Sequence, residues 1–151
     1  MQVDLTGLHG ITVHTGGRAT LGAGCRLGHV YDALHAPGRT LAAGCGATLG
    51  IVGLTLGGGI GLLGRVHGLT SDSLVAARVV LADGRVVDCD HESEPDLFWA
   101  RGAGGGQFGV VTALTSSSRP PYSTTRPGSC RTTPQSCWLA GTAASGADSG
   151  R

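Results

Sequence analysis

The sequence predicts an α+β fold, a small mixed or antiparallel sheet flanked by short helices. Three observations carry that expectation. Two segments run apolar stretches on either side of a glycine turn, which is how β-hairpins read. One segment spaces its apolar residues as a helix does. The length, 151 residues of which 40% are hydrophobic, suffices for one domain with a core and is too short for two.

In chain order, Ile11 to His14 alternates, Thr15-Gly16-Gly17 supplies a turn, and Ala19 to Ala23 returns as the partner strand. Arg26 to Leu34 places Leu27, Val30, Tyr31 and Leu34 at helical spacing and stops before Pro37-Gly38. Thr40 to Ala43 reads as a brief apolar strand. From Gly44 to Gly64 neither a stable isolated helix nor an ordinary strand is expected, because each glycine costs about 1 kcal/mol against alanine in a helix interior. Leu74 to Leu81 is apolar and β-branched, Asp83-Gly84 is a hairpin turn, and Arg85 to Asp88 forms the second arm. Glu94-Pro95-Asp96 opens a short helix bearing Leu97, Phe98 and Trp99. A second glycine cluster, Gly102 to Gly106, precedes a buried strand from Phe108 to Leu114.

After Thr115 the character changes. Residues 116–151 are rich in Ser, Thr, Pro and Gly, lack periodicity and hold one acidic residue, Asp148. The expected organisation is therefore a folded part over 1–115 and a low-complexity, disordered tail over 116–151. So abrupt a change resembles the product of a shifted reading frame.

Composition removes several functions. The formal net charge is +1 and 14% of residues are charged, so no basic patch supports nucleic-acid binding. All 11 basic residues are arginine, which excludes lysine Schiff bases and a P-loop lysine. Arginine-only usage with abundant Ala and Gly suggests a GC-rich, bacterial genome. Asp88, Asp90, Glu92, Glu94 and Asp96 form an acidic cluster that reads as a solvated loop, without the ligand spacing of a hard-cation site; no metal site is expected. The five cysteines, at 25, 45, 89, 130 and 137, show no CxxC spacing. An odd count with no basic-then-apolar leader points to thiols in a reducing cytoplasm. No apolar stretch is long enough to span a membrane.

Leu54 to Gly61, LTLGGGIG, is the most informative run. Gly59-Ile60-Gly61-Leu62-Leu63-Gly64 matches the dinucleotide fingerprint G-x-G-x-x-G, but no acidic residue ends a strand about 20 positions on: position 79 lies within Val79-Val80-Leu81. Two meanings of the run stay open. Glycines let main-chain N–H groups approach a pyrophosphate or flat ring and adopt positive φ, or they permit backbones to cross in a packing turn.

The order of motifs carries a further expectation. GIVGLTLGGGIGLLGRVHGLTSDSLVAARVVLADGRVV, then EPDLFWA, then GGGQFGVVT, resembles the second half of the FAD domain of the berberine-bridge-enzyme-like flavin oxidases, in the vanillyl-alcohol-oxidase or PCMH-type superfamily. The resemblance covers about residues 3–115, and VDLTGLHGITV is similar to the strand and turn after that family's first βαβ unit. It implies a PCMH-type FAD-binding fold, second subdomain, with FAD as cofactor. Thr48 to Gly53, including Gly50, would line the pyrophosphate and isoalloxazine. Leu54, Thr55, Leu56, Gly57, Gly58, Gly59 and Gly61 would continue that wall. Asp72, followed by Ser73 where the family has Asn, would lie close to the flavin. Gly109, Val110 and Val111 would offer backbone bonds toward the adenine side.

Three departures accompany the resemblance. The family's first pyrophosphate loop and its flavin-linked histidine would precede this sequence, so His9, His14, His29, His35, His67 and His91 read as surface or packing residues. The family's second flavin-linking position, a cysteine in some relatives, is here Gly46, and Cys45 sits one residue earlier. FWARGAGGGQFG departs from the family's FWALRG-type pattern at Arg101. Nothing after Thr115 resembles the substrate domain that supplies the family's catalytic base, so the catalytic residues are left unassigned. The function implied is a flavin-dependent oxidase of small organic substrates; the alternatives are an inactive fragment or a non-catalytic flavin-binding module. The expected partner is a small-molecule substrate, with neither nucleic acid nor membrane. An apolar edge left where the first βαβ unit would pack is expected to cause self-association.

Overall fold

The computed structural model describes residues 2–101 and 106–121. They form one five-stranded sheet with helices on one face. β1 (Ile11–Val13) and β2 (Arg18–Gly22) make the first hairpin, and β3 (Leu74–Val80) and β4 (Val86–Asp90) the second. β5 (Val110–Ser117) inserts between them, so the order is β1-β2-β5-β3-β4 and every pairing is antiparallel. The helices are α1 (Leu27–His35), α2 (Ile51–Leu56), α3 (Gly64–His67) and α4 (Pro95–Arg101).

Both hairpins follow from local chemistry. Gly16 and Gly17 take φ of 91° and 85° at the β1–β2 turn, and Gly84 takes φ 84° in the Asp83-Gly84 turn. The inward residues of the strands, Ala19, Leu21, Ala77, Val79, Cys89, Val111 and Leu114, meet Leu27, Val30 and Leu34 from α1 and Ile51 and Val52 from α2 in one core. The opposite face carries both polar and β-branched side chains. Thr20 and Thr115 face each other in register there, with hydroxyls 3.1 Å apart, and His14 Nε2 lies 2.9 Å from the Thr20 hydroxyl.

Three expectations are corrected. Thr40 to Ala43 is not a strand. Thr40 makes one isolated bridge to Arg119, while Leu41, Ala42 and Ala43 are buried as irregular chain. Within Gly44 to Gly64, where no helix stable in isolation was expected, α2 forms with tertiary support; its low propensity is offset by burial of Ile51, Val52 and Thr55 and by tertiary backbone bonds. Order also does not stop at Thr115. β5 runs to Ser117, Ser118 is buried and donates its hydroxyl to the Gly17 carbonyl at 2.7 Å, and Arg39 Nε donates to Ser118 Oγ at 2.7 Å. The rest of the expected tail, residues 122–151, lies outside the described residues, as do Gly102 to Gly105 of the second glycine cluster.

Candidate functional site

The site is built on the loop between α1 and α2. A helix leaves the N–H groups of its first turn without internal partners, and here two of them fix that loop: Leu27 N–H donates to Leu49 O and Gly28 N–H to Ala47 O, both at 2.9 Å. Ile51 N–H, opening α2, donates to Cys25 O at 3.0 Å. Tyr31 adds a side-chain link, its hydroxyl donating to Gly44 O at 2.7 Å. Burial, with the nearby Cys45 thiol adding to it, pushes the Tyr31 hydroxyl up to about 12, so it remains a donor at neutral pH.

The glycines of this region fall into two groups. Gly58 and Gly59, with φ of 89° and 76°, turn the chain after α2. Their carbonyls accept Ser71 N–H and Thr70 N–H, both at 2.9 Å. A β-carbon on Gly59 would run into the Thr70 side chain, and one on Gly61 into the Ala43 carbonyl. These glycines answer the crossing of backbones. Gly50, Gly53 and Gly57 differ. They lie on one face of α2, which is exposed. Among the described residues, a β-carbon on Gly50 or Gly53 would meet nothing within 4 Å, and one on Gly57 would touch only its own helix carbonyls, at 3.6 Å and beyond. The described residues supply no reason for a glycine inside α2 at Gly53, at a cost of about 1 kcal/mol. A flat ring or pyrophosphate lying against the helix backbone does supply one, so the residues present fit a flavin.

The other residues expected at the site are placed as follows. Thr48 is exposed on the loop before α2. Leu54 and Leu56 are half-buried against the core. Thr55 is fully buried, and its hydroxyl donates to Ile51 O at 2.8 Å, so its side chain faces away from the open face of α2. Asp72 folds back within its own loop. Its Oδ2 accepts Leu69 N–H at 2.8 Å and occupies the space where Gly68, at φ 80°, lacks a β-carbon. Ser73, 7% exposed, donates to Thr70 O at 2.6 Å. The polar side chains of 72 and 73 thus hold the 68–73 loop that carries the glycine turn. Val110 and Val111 pair with Val80 and Val79 of β3, while the register with β2 begins only at Ala113. α2 packs against β5, which brings the glycine wall and this strand to one side of the sheet.

Sequence reasoning missed Tyr31 as part of this framework, having placed it only on the apolar stripe of α1. Its hydroxyl was the available signal, since a tyrosine on the core-facing stripe of a helix usually finds a partner for its hydroxyl. The acidic cluster, expected as a loop, is split instead: Asp88 and Asp90 end β4, Glu92 and Glu94 lie in the exposed turn, and Asp96 is in the first turn of α4. Asp88 pairs with Arg78 at 2.7 Å, and Asp90 Oδ1 accepts the N–H groups of Glu92 and Ser93 at 2.8 and 2.7 Å. Of the histidines, His14 bonds Thr20 and His91 stacks edge-on with Phe98 at 4.7 Å.

Comparison with known proteins agrees with this geometry. The family model described as "FAD binding domain" matches residues 1–90. An FAD-linked oxidoreductase of Bacillus subtilis, YgaK, is 46% identical over 126 residues, which is 80% of this chain and 28% of the relative. The chitooligosaccharide oxidase of Gibberella zeae is 39% identical over 76% of this chain and 23% of its own. Among solved structures, a chitooligosaccharide oxidase superposes with a TM-score of 0.74 at 37% identity, over 77% of this chain and 25% of that one. The 6-hydroxy-D-nicotine oxidase of Arthrobacter nicotinovorans gives 0.73 at 34% identity, over 75% and 25%. Physcomitrella patens BBE-like 1 gives 0.72 at 38% identity, over 76% and 25%. This chain therefore spans about a quarter of the length of the relatives it matches. With a family model over residues 1–90 and these neighbours in sequence and fold, the chain belongs to the FAD-binding domain family, as a PCMH-type segment of the berberine-bridge-enzyme-like oxidoreductases with FAD as its cofactor.

Proposed function

We propose that this chain supplies one wall of the FAD site in a flavin-dependent oxidase of small organic substrates. The observation that carries the reading is the exposed face of α2, where Gly50 and Gly53 keep open the space a β-carbon would fill, with no described residue within 4 Å of it. The backbone of that face would lie against the cofactor. Thr48 and the loop fixed by α1 would border it, and the 68–73 loop would hold the glycine turn behind it. FAD, when bound, supplies hydride acceptance and reoxidation by oxygen, and the protein's part is binding and orientation. No described residue is given a catalytic role, and the substrate is expected to be a small molecule met by parts of the oxidase beyond this wall.

The test is direct. The 151-residue chain is mixed with FAD, and visible absorbance and thermal unfolding are recorded. A perturbed flavin spectrum with a raised melting temperature supports the reading. An unchanged spectrum and melt contradict it. Oxygen consumption with an added alcohol or sugar then separates an oxidase from a flavin-binding module.

Two further expectations belong to this reading. Among the described residues no helix is long and apolar enough to cross a membrane, and the free thiols of Cys25 and Cys45 support a reducing, cytoplasmic setting. Ile60, Leu62 and Trp99 are 80, 76 and 84% exposed, which favours self-association of the chain at high concentration. Light scattering that reports a monomer at high concentration contradicts the latter.

A further inference from the structure

We infer that Tyr31 is a positioning residue for the flavin wall: its hydroxyl, by holding the Gly44 carbonyl, fixes the backbone over which the glycine turn crosses. The inference rests on the FAD reading for its consequence, but the pinning itself is a property of the chain alone.

α1 is tied to the loop that follows it at three places, Gly44, Ala47 and Leu49. Two of these use backbone N–H groups of the first helical turn, which a helix of any sequence presents. The third is a choice of side chain. Phenylalanine would cover the same apolar surface, so the hydroxyl earns its place only by what it holds. Gly44 is buried, and among the described residues the Tyr31 hydroxyl is the group that donates to its carbonyl.

What lies against Gly44 explains why its position matters. The Ala43 carbonyl and the Gly44 nitrogen fill the space where Gly61 lacks a β-carbon, so the 43–44 backbone is the surface on which the end of the glycine run rests. On its other side, the Leu54 side chain of α2 lies 3.2 Å from where a Gly44 β-carbon would stand. Gly44 is thus in contact with both the helix whose open face carries Gly50 and Gly53 and the turn that follows it. A shift at the carbonyl would move the backbone against which both pack, since protein interiors are close-packed.

Cys45 provides a reporter that needs no flavin, being exposed and next in sequence to the pinned carbonyl, whereas Cys25 is buried. In the full chain carrying Tyr31→Phe, alkylation by iodoacetamide is followed cysteine by cysteine with peptide mass spectrometry. The expected result is a several-fold faster reaction at Cys45 with the Cys25 rate unchanged. FAD affinity, read by quenching of flavin fluorescence, is expected to fall about tenfold, equivalent to losing one good hydrogen bond. In the unmutated chain, saturating FAD is expected to slow alkylation of Cys45. An unchanged Cys45 rate in the variant overturns the pinning. Equal acceleration at Cys25 and Cys45 overturns it too, since that is general loosening of the fold. A faster Cys45 with unchanged FAD affinity overturns the positioning role. If the unmutated chain fails to bind FAD, the cofactor reading falls, and the Cys45 rate still decides the pinning.

Discussion

Gly53 and Gly61 stand in one glycine-rich run, and nothing in their local sequence separates them. At Gly61 a β-carbon would strike the Ala43 carbonyl; at Gly53 it would meet nothing within 4 Å. The first glycine is demanded by the protein's own backbone crossing. The second has no demand placed on it by the described residues, and its helix would be firmer without it. Glycine content alone therefore does not mark a ligand site. The informative glycines are those that the described residues leave unexplained, above all Gly53, and the proposed placement of a flavin on that face of α2 rests on them.

The largest test of this contrast is Gly61→Ala. Because the obstacle is backbone and cannot swing aside, the substitution is expected to cost about 3 kcal/mol, measured as a lowered midpoint of urea unfolding. A midpoint equal to that of the unmutated chain would erase the distinction. Gly53→Ala should act in the opposite sense, raising stability without cofactor by about 0.5–1 kcal/mol through helix propensity while weakening FAD binding. Equal or better FAD affinity in that variant would remove the ligand argument for the α2 face.

The smallest effect concerns the turn after β4, residues 90–93, which shares no residue with either group of glycines. Hydrogen bonds from the N–H groups of Ser93 and Glu92 hold the Asp90 carboxyl below the usual carboxylate range. A depressed folded-state value means the contribution is present above the unfolded value, near pH 4, and fades as the pH falls through the folded one. Asp90→Asn is therefore expected to lower the melting temperature slightly at pH 7, with the difference closing as acid titrates the carboxyl. FAD affinity should not change in this variant, which makes it a control for the two glycine substitutions.

Much of the architecture was legible because it is local. The Asp83-Gly84 turn and the β-branched run before it specify β3 and β4 without distant information, and the stripe Leu27, Val30 and Leu34 specifies α1. α2 was hidden because Gly53 and Gly57 depress its propensity, while the groups that support it, such as the Cys25 carbonyl, lie far back in sequence. The end of β5 was hidden for a related reason. Ser116, Ser117 and Ser118 read as loop, and only their pairing with Ala19 and Arg18 and the bond to Gly17 make them strand and anchor. At the site, the order of motifs announced the cofactor, but the separate duties of neighbouring glycines depend on Thr70 and Ala43, which no local pattern reveals.

The strand order β1-β2-β5-β3-β4 carries a consequence for how the chain is made. Both hairpins emerge from synthesis before the strand that joins them. Until residue 117 is in place, β2 and β3 each present an open inner edge, and neither has a permanent neighbour there. Closing the sheet requires β5 to find partners about a hundred residues back at Ala19 and about forty back at Ala77, a slow, non-local search. During that interval two unpaired edges are free to recruit strands from other nascent chains. The same insertion that makes β5 the keystone of the finished sheet thus makes its late arrival the most vulnerable moment in the chain's synthesis.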